Sequence, residues 1–210
     1  MDDLAQDCLK LIKSVGIDEV GRGPLAGPVV AACVYTPDYV DIPSDLPRIR
    51  DSKKMTHKNR LQIVEWLHSQ TVIKYAISSA SVEEIDTLNI LQATFLAMKR
   101  ALSELKNNIN YNDEIVYVDG NKIPPLETRN VQCIIGGDNK IISIALASII
   151  AKEYRDDLMR KIDTSYPQYG FAKNVGYGTK QHIDAIHKFG ITLHHRRSFE
   201  PIKSIVQQNK

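Results

Sequence analysis

The run IISIALASIIA, residues 141 to 151, holds no charge between Lys140 and Lys152. A membrane helix needs roughly 20 apolar residues, so this shorter run reads as a buried helix. Such a helix must be covered by other elements, and the chain supplies them. Residues 14–20 and 28–36 (PVVAACVYT) are rich in β-branched side chains and separated by Gly and Pro, which predicts two neighbouring strands joined by a loop. TVIKYAISSA (71–80) offers a third strand.

Residues 81–105 place Ser81 and Glu84 in capping-box spacing and Ile85, Leu88, Leu91 and Phe95 at helical intervals, so one long amphipathic helix is expected, ended by the Asn-rich KNNINYND. EIVYVDG and VQCIIGGD read as short buried strands, each with an aspartate beside glycine. Residues 139–162 predict a second long helix, residues 180–189 a shorter one, and PDYVDIPSDLPRIRD an extended loop. Strands first, then strands alternating with helices, indicate an α/β domain with a mixed sheet flanked by helices. The expected division is an N-terminal segment 1–13, a main α/β domain 14–162 and a C-terminal helical extension 163–210.

The 27 basic and 25 acidic residues leave a net charge of +2, too small to mark a nucleic-acid binder unless charge is locally concentrated. Cys8, Cys33 and Cys133 form neither a disulfide framework nor a thiolate metal site. The opening MDDLAQDCLK is acidic where a secretory signal is basic, and the expected compartment is the cytoplasm.

Four acids stand at strand ends or a helix start: Asp18, Glu19, Asp119 and Asp138. Each has a local explanation. Asp119 opens an Asp-Gly turn, Asp138 is placed to cap a helix, and Asp18 with Glu19 can guard a sheet edge. Several acids at the strand ends of one small sheet would nevertheless repel, and some would take up protons unless a cation sat among them. Oxygen ligands alone suit a hard ion such as Mg²⁺ or Mn²⁺. Two such ions are the apparatus of phosphodiester hydrolysis. The attached GRGPLAG loop adds Gly21 and Gly23, which let backbone approach a ligand, and Arg22, which can fork onto phosphate; a simple turn explains the glycines equally well.

GIDEVGRGPLAGPVVAA, DSKKM, DTLNILQAT, VDGN, GGDNK, ASIIAKEYRD, YPQYGFAKNVGYGT and HRRSF follow one another in an order that resembles the bacterial ribonuclease HII family over residues 15–202. The resemblance implies a ribonuclease H-like sheet with a C-terminal helical extension. It implies cleavage of the RNA strand of RNA/DNA hybrids and nicking 5′ to single ribonucleotides in duplex DNA. It implies Asp18, Glu19, Asp119 and Asp138 as ligands of Mg²⁺ or Mn²⁺, two ions when substrate is bound. Gly21, Arg22 and Gly23 take the place of the loop that grips the backbone around the 2′-hydroxyl, the group that separates RNA from DNA. Tyr177 matches the tyrosine that stacks on the following deoxy sugar. Val175 stands where the family has a lysine.

Lys53, Lys54, Lys152, Arg155, His195, Arg196 and Arg197 are candidate phosphate contacts, with Lys53, Lys54 and Arg196 assigned to the nucleic-acid surface. Arg155 and Arg197 have structural alternatives. Ser148 is expected to bond its own helix backbone. His194 and His195 do not specify zinc. The expected state is monomeric, without membrane contact. Two other classes share these features: a non-catalytic hybrid-binding module, and a metal-dependent DNA nuclease.

Overall fold

The computed structural model describes residues 9–109, 111 and 114–208. Cys8 and most of the N-terminal segment therefore lie outside the described residues. Five strands form one sheet in the order β3-β2-β1-β4-β5, with β1 at Ser14–Val20, β2 at Val29–Thr36, β3 at Lys74–Ala80, β4 at Val116–Asp119 and β5 at Val131–Ile134. β1 pairs antiparallel with β2 and parallel with β4; β2–β3 is antiparallel and β4–β5 parallel. The sheet is thus mixed, as the alternation of strands and helices predicts.

Side chains alternate across a strand, and β1 uses this to serve two cores. Val15 and Ile17 pack with Ala31, Cys33, Ala97 and Leu102 on the face covered by α3 (Ile90–Asn107). Gly16 faces the other side, covered by α4 (Ile142–Ser165) and α1 (His57–Ser69). A Cβ at Gly16 would lie 2.2 Å from the Ser143 carbonyl carbon, so only glycine lets α4 settle this close to the central strand. The apolar run 141–151 accounts for the close fit. Ile144, Ala145, Leu146, Ala147 and Ile149 of α4 are fully buried, as the charge-free sequence requires.

The helix expected over 81–105 is interrupted. α2 (Val82–Leu88) carries the capping box, with Ser81 accepting from the Glu84 N–H and Glu84 accepting from the Ser81 N–H. Asn89 then turns to φ 71° and caps α3, its side-chain oxygen accepting from the N–H groups of Leu91 and Gln92. Asparagine tolerates a positive φ more easily than most residues with a Cβ, and its side-chain oxygen satisfies the donors freed by the break. α1 escaped the reading of the sequence, although Thr56 caps it through the Asn59 N–H. Residues 37–50 contain neither helix nor strand, in line with the extended loop expected there.

Beyond α4, the chain forms α5 (Phe171–Asn174), α6 (Lys180–Phe189) and α7 (Ile202–Gln208). These helices share a third core with the glycine loop: Leu25 and Ala26 pack with Met159, Tyr169, Phe171, Ala185, Ile186 and Ile202. The loop after β1 is therefore built into the C-terminal helices, which place Tyr177 beside it.

Candidate active site

Parallel pairing sets Ile17 opposite Val118, and one step further the two strands bring Asp18 and Asp119 to the same end of the sheet. Asp18 sits on the α4 face, where it is 6% exposed. Its Oδ1 accepts the Glu19 N–H at 2.7 Å, and the nearby Ser148 hydroxyl favours the charged carboxyl. Burial pushes this carboxyl well above the usual aspartate range, and the charges of Glu19 and Asp119 push it further. Glu19, one residue on, belongs to the α3 face. Burial raises it, Arg22 at 3.2 Å opposes that rise, and Asp119 adds to it.

Asp119 Oδ1 accepts the Gly137 N–H at 2.7 Å, which ties the end of β4 to the 3₁₀ turn Gly137–Asn139. That turn carries Asp138. It does not cap α4, whose N-cap position is Ile141 with no side-chain bond. Asp138 is raised by burial, then by Asp51 and Asp119, while Asn139 Nδ2 donates to its Oδ1 at 2.7 Å. Asp119 is thus felt by Asp18, Glu19 and Asp138, and the four acids come from three separate chain segments. Among the described residues no three His, Cys, Asp or Glu side chains are already closed into a cage that could hold an ion. Local N–H donors pin one oxygen each on Asp18, Asp119 and Asp138, leaving the other to turn toward a ligand. A carboxylate-only set in which Asp119 raises the proton affinity of Asp18, Glu19 and Asp138 fits a hard divalent cation, which would remove the repulsion that protons otherwise relieve.

The cleft beside this cluster, about 200 Å³, is lined by Glu19, Arg22, Asp119, Asn121 and Lys122 on one side and by Leu91, Phe95 and Met98 of α3 on the other. Lys53 lies close enough to lower both Glu19 and Asp138. It stands on a 3₁₀ turn, Ser52–Lys54, where the Asp51 side chain accepts the Lys53 N–H at 2.9 Å. The Lys54 ammonium donates to Asn139 Oδ1 at 3.2 Å. Asp51, Asn121 and Lys122 were not singled out in the sequence, although DSKK and VDGNK already set them beside residues that were.

Ser148 corrects its expectation. Its hydroxyl meets Ser52 Oγ at 2.9 Å and Asp18, which joins α4 to the acid cluster and to the lysine turn. Arg60 steadies the same turn by donating to the carbonyls of Ser52 and Met55.

Gly23 and Arg22 are exposed, and their N–H groups make no hydrogen bond among the described residues. A Cβ at Gly23 would lie 3.5 Å from Tyr177 Cε1, so the tyrosine ring, 47% exposed, borders the glycine loop. Two histidines support that ring's backbone. His195 Nδ1 accepts the Thr192 N–H at 2.9 Å, which places its proton on Nε2; this donates across 3.1 Å to His182 Nε2, and His182 Nδ1 donates to the Tyr177 carbonyl. Burial, then the neighbouring imidazoles, lowers His195 to about 4, so the relay is neutral.

Arg196 corrects its assignment to the nucleic-acid surface. Its side chain is fully buried, and its N–H groups are spent on the carbonyls of Gly21, Arg22 and Gly27, because residues 194–196 run antiparallel to the loop. Arg155 is likewise buried, bonding Ala26, Pro28 and Val175 carbonyls, which agrees with its structural alternative. Lys152 is engaged with Asp156 at 2.7 Å. His195 faces His182 and cannot reach a phosphate.

A five-stranded mixed sheet with carboxylates at the ends of adjacent parallel strands, faced by helices and a cationic loop, defines a metal-dependent nuclease of the ribonuclease H type. The family model "Ribonuclease HII" matches residues 15–202. Ribonuclease HII of Ehrlichia chaffeensis is 49% identical over 193 residues, covering 92% of this chain and 88% of that protein. The Neisseria meningitidis serogroup B protein of the same name is 44% identical over 197 residues, covering 94% and 97%. Among solved structures, ribonuclease H2 from Pyrococcus horikoshii superposes with a TM-score of 0.71 at 24% identity, covering 93% of this chain and 97% of that one. Bst-RNase HIII, solved in complex with Mn²⁺, gives 0.71 at 19% identity, covering 99% and 73%. The chain belongs to the ribonuclease HII family and is an endoribonuclease acting on the RNA of RNA/DNA hybrids.

Proposed function

We propose that this ribonuclease also nicks duplex DNA 5′ to a single embedded ribonucleotide, leaving a 3′-hydroxyl and a 5′-phosphate. Asp18, Glu19, Asp119 and Asp138 would hold two Mg²⁺ or Mn²⁺ ions once substrate phosphate is present. Bound there, such ions activate water and neutralise the leaving oxygen. The chain's own groups do the rest. Gly23 and Arg22 present free amides and a guanidinium to the backbone around the 2′-hydroxyl. Tyr177 offers its ring to the next sugar, and Lys53, close to Glu19 and Asp138, can meet the phosphate there. Lys54 extends that positive edge. The observation that carries this reading is the acid cluster drawn from three segments, with Asp18, Glu19 and Asp138 raised by burial, which has no use in a module that only binds a polyanion.

The free thiols of Cys33 and Cys133 accord with a reducing cytoplasm, and we place the enzyme there as a monomer. Among the described residues no helix is long and apolar enough to cross a membrane.

Two duplexes of one sequence, differing by a single 2′-hydroxyl, test the substrate assignment. With Mg²⁺ the ribonucleotide duplex is cut on the 5′ side of the ribose with a 3′-hydroxyl end, and the all-DNA duplex stays intact. Equal cutting of both would make it a DNA nuclease. Binding without cutting at every divalent-ion concentration would make it a recognition module.

A further inference from the structure

Two arginines are buried with no acidic ion-pair partner among the described residues, and both spend their donors on backbone carbonyls. Burying a cation is costly unless its donors are met, so both positions must be organised around these carbonyls. The two sets differ. Arg196 serves the glycine loop alone, through Gly21, Arg22 and Gly27. Arg155 spans two segments: Nε donates to Pro28 O at 3.1 Å and Nη2 to Ala26 O at 3.1 Å, while Nη1 crosses to Val175 O at 2.9 Å.

Val175 is two residues before Tyr177 and holds φ 43°, an uncommon conformation for a β-branched side chain. Its carbonyl is where Arg155 grips. A second tie runs alongside, the Leu25 N–H donating to Gly176 O at 2.8 Å. Gly21 shows how close the guanidinium lies: at φ 92°, a Cβ there would sit 2.2 Å from Arg155 Nε. Both arginines turn loop carbonyls inward, which leaves the Arg22 and Gly23 amides facing out.

We infer that Arg155 is a specificity-determining positioning residue: it fixes the spacing between the glycine loop and Tyr177, and so sets the preference for a ribose followed by a deoxyribose without touching nucleic acid. This rests on the proposed roles of the loop and of Tyr177. A planar fork can hold three carbonyls of two segments at once, whereas a lysine at the same place keeps the charge but not the bridge. Displacement of a substrate-positioning group by about 1 Å is enough to cost large factors in rate.

The test compares kcat/KM on a duplex with one ribonucleotide against a uniform RNA/DNA hybrid, for the wild type, Arg155→Lys, Arg196→Lys, Tyr177→Ala and Arg155→Lys with Tyr177→Ala. Arg155→Lys lowers the ratio of the two values on the order of tenfold, the uniform hybrid losing less than the one-ribonucleotide duplex. Arg196→Lys raises KM on both substrates and leaves the ratio unchanged. In the Tyr177→Ala background, Arg155→Lys has no further effect on the ratio. The inference is overturned if Arg155→Lys leaves the ratio at the wild-type value, or lowers it equally with and without the tyrosine. A ratio unmoved by Tyr177→Ala alone would instead refute the role given to Tyr177. Should Arg155→Lys not fold, hydrogen exchange in Arg196→Lys decides: retained protection at the Tyr177 and Gly176 amides supports Arg155 as the bridge, and loss there overturns it.

Discussion

Asp18 is placed against its own ionisation, since burial and two neighbouring acids hold its proton affinity up. Unfolded, it ionises near pH 3.9; folded, it does so at higher pH. Between those values the native state binds more protons, so stability falls as pH rises through that window. Asp18→Asn removes this cost. In the absence of divalent ions its melting temperature should exceed that of the wild type at pH 8, the gap closing toward pH 4; equal melting curves at pH 8 would contradict the burial-driven shift. Added Mg²⁺ should stabilise the wild type and not the variant, in proportion to ligand bound. The four acids were legible in the sequence because charge at the end of an apolar strand is anomalous wherever it occurs. Arg196 was not. Side by side, Arg196 and Arg197 are indistinguishable in sequence, and only the pairing of residues 194–196 with the glycine loop turns one of them inward. Ser148 stayed hidden for a similar reason, since its partner Asp18 lies far away in the chain.

At the scale of elements, the break between α2 and α3 depends on Asn89. Apolar periodicity runs straight through it, and therefore one helix was expected over 81–105. The break aims the first turns of α3, with Leu91 and Phe95, at the catalytic cleft. Asn89→Ala keeps a positive φ that a residue with a Cβ already holds, and loses a cap worth about 1 kcal/mol. Denaturant unfolding should show a loss of about 1 kcal/mol; a change under a few tenths would contradict the cap. The segment from Val175 to Tyr177 depends instead on the neutral His182–His195 pair. His195 has its folded-state proton affinity lowered to about 4. Its stabilising contribution is therefore complete above pH 6.5 and is lost as pH falls toward 4, by about 3 kcal/mol. Imidazole ¹⁵N NMR should find His195 neutral at pH 5.5 with its proton on Nε2, and a charged ring at that pH would contradict the relay. Neither histidine was assigned this role in the sequence, because α6 and the 194–196 segment meet only in the fold.

Across the whole molecule, a mixed sheet flanked by helices was readable, because β-branched runs and the charge-free α4 leave few other ways to cover a sheet; the order of the strands was not, since it is set by pairing between distant segments. The three apolar cores divide the labour. The α4 and α3 cores press on the two faces of β1 and hold Asp18 and Glu19 on opposite sides of one strand. The third core holds the glycine loop and Tyr177 as a single surface. Metal chemistry and ribose recognition are thus anchored in different parts of the fold that meet at the loop after β1. Arg155 on α4 belongs to both, packing beneath the loop that begins where the acidic pair ends. The central claim is that carboxylates from separate segments act on one phosphate through shared divalent ions. It is tested most directly by the Mg²⁺ dependence of cleavage of a one-ribonucleotide duplex by the wild type and by Asp119→Asn. The account predicts a cut that requires Mg²⁺ and a fall of at least about a hundredfold in the variant; a variant cutting at the wild-type rate, or a wild type cutting without divalent ions, would contradict it.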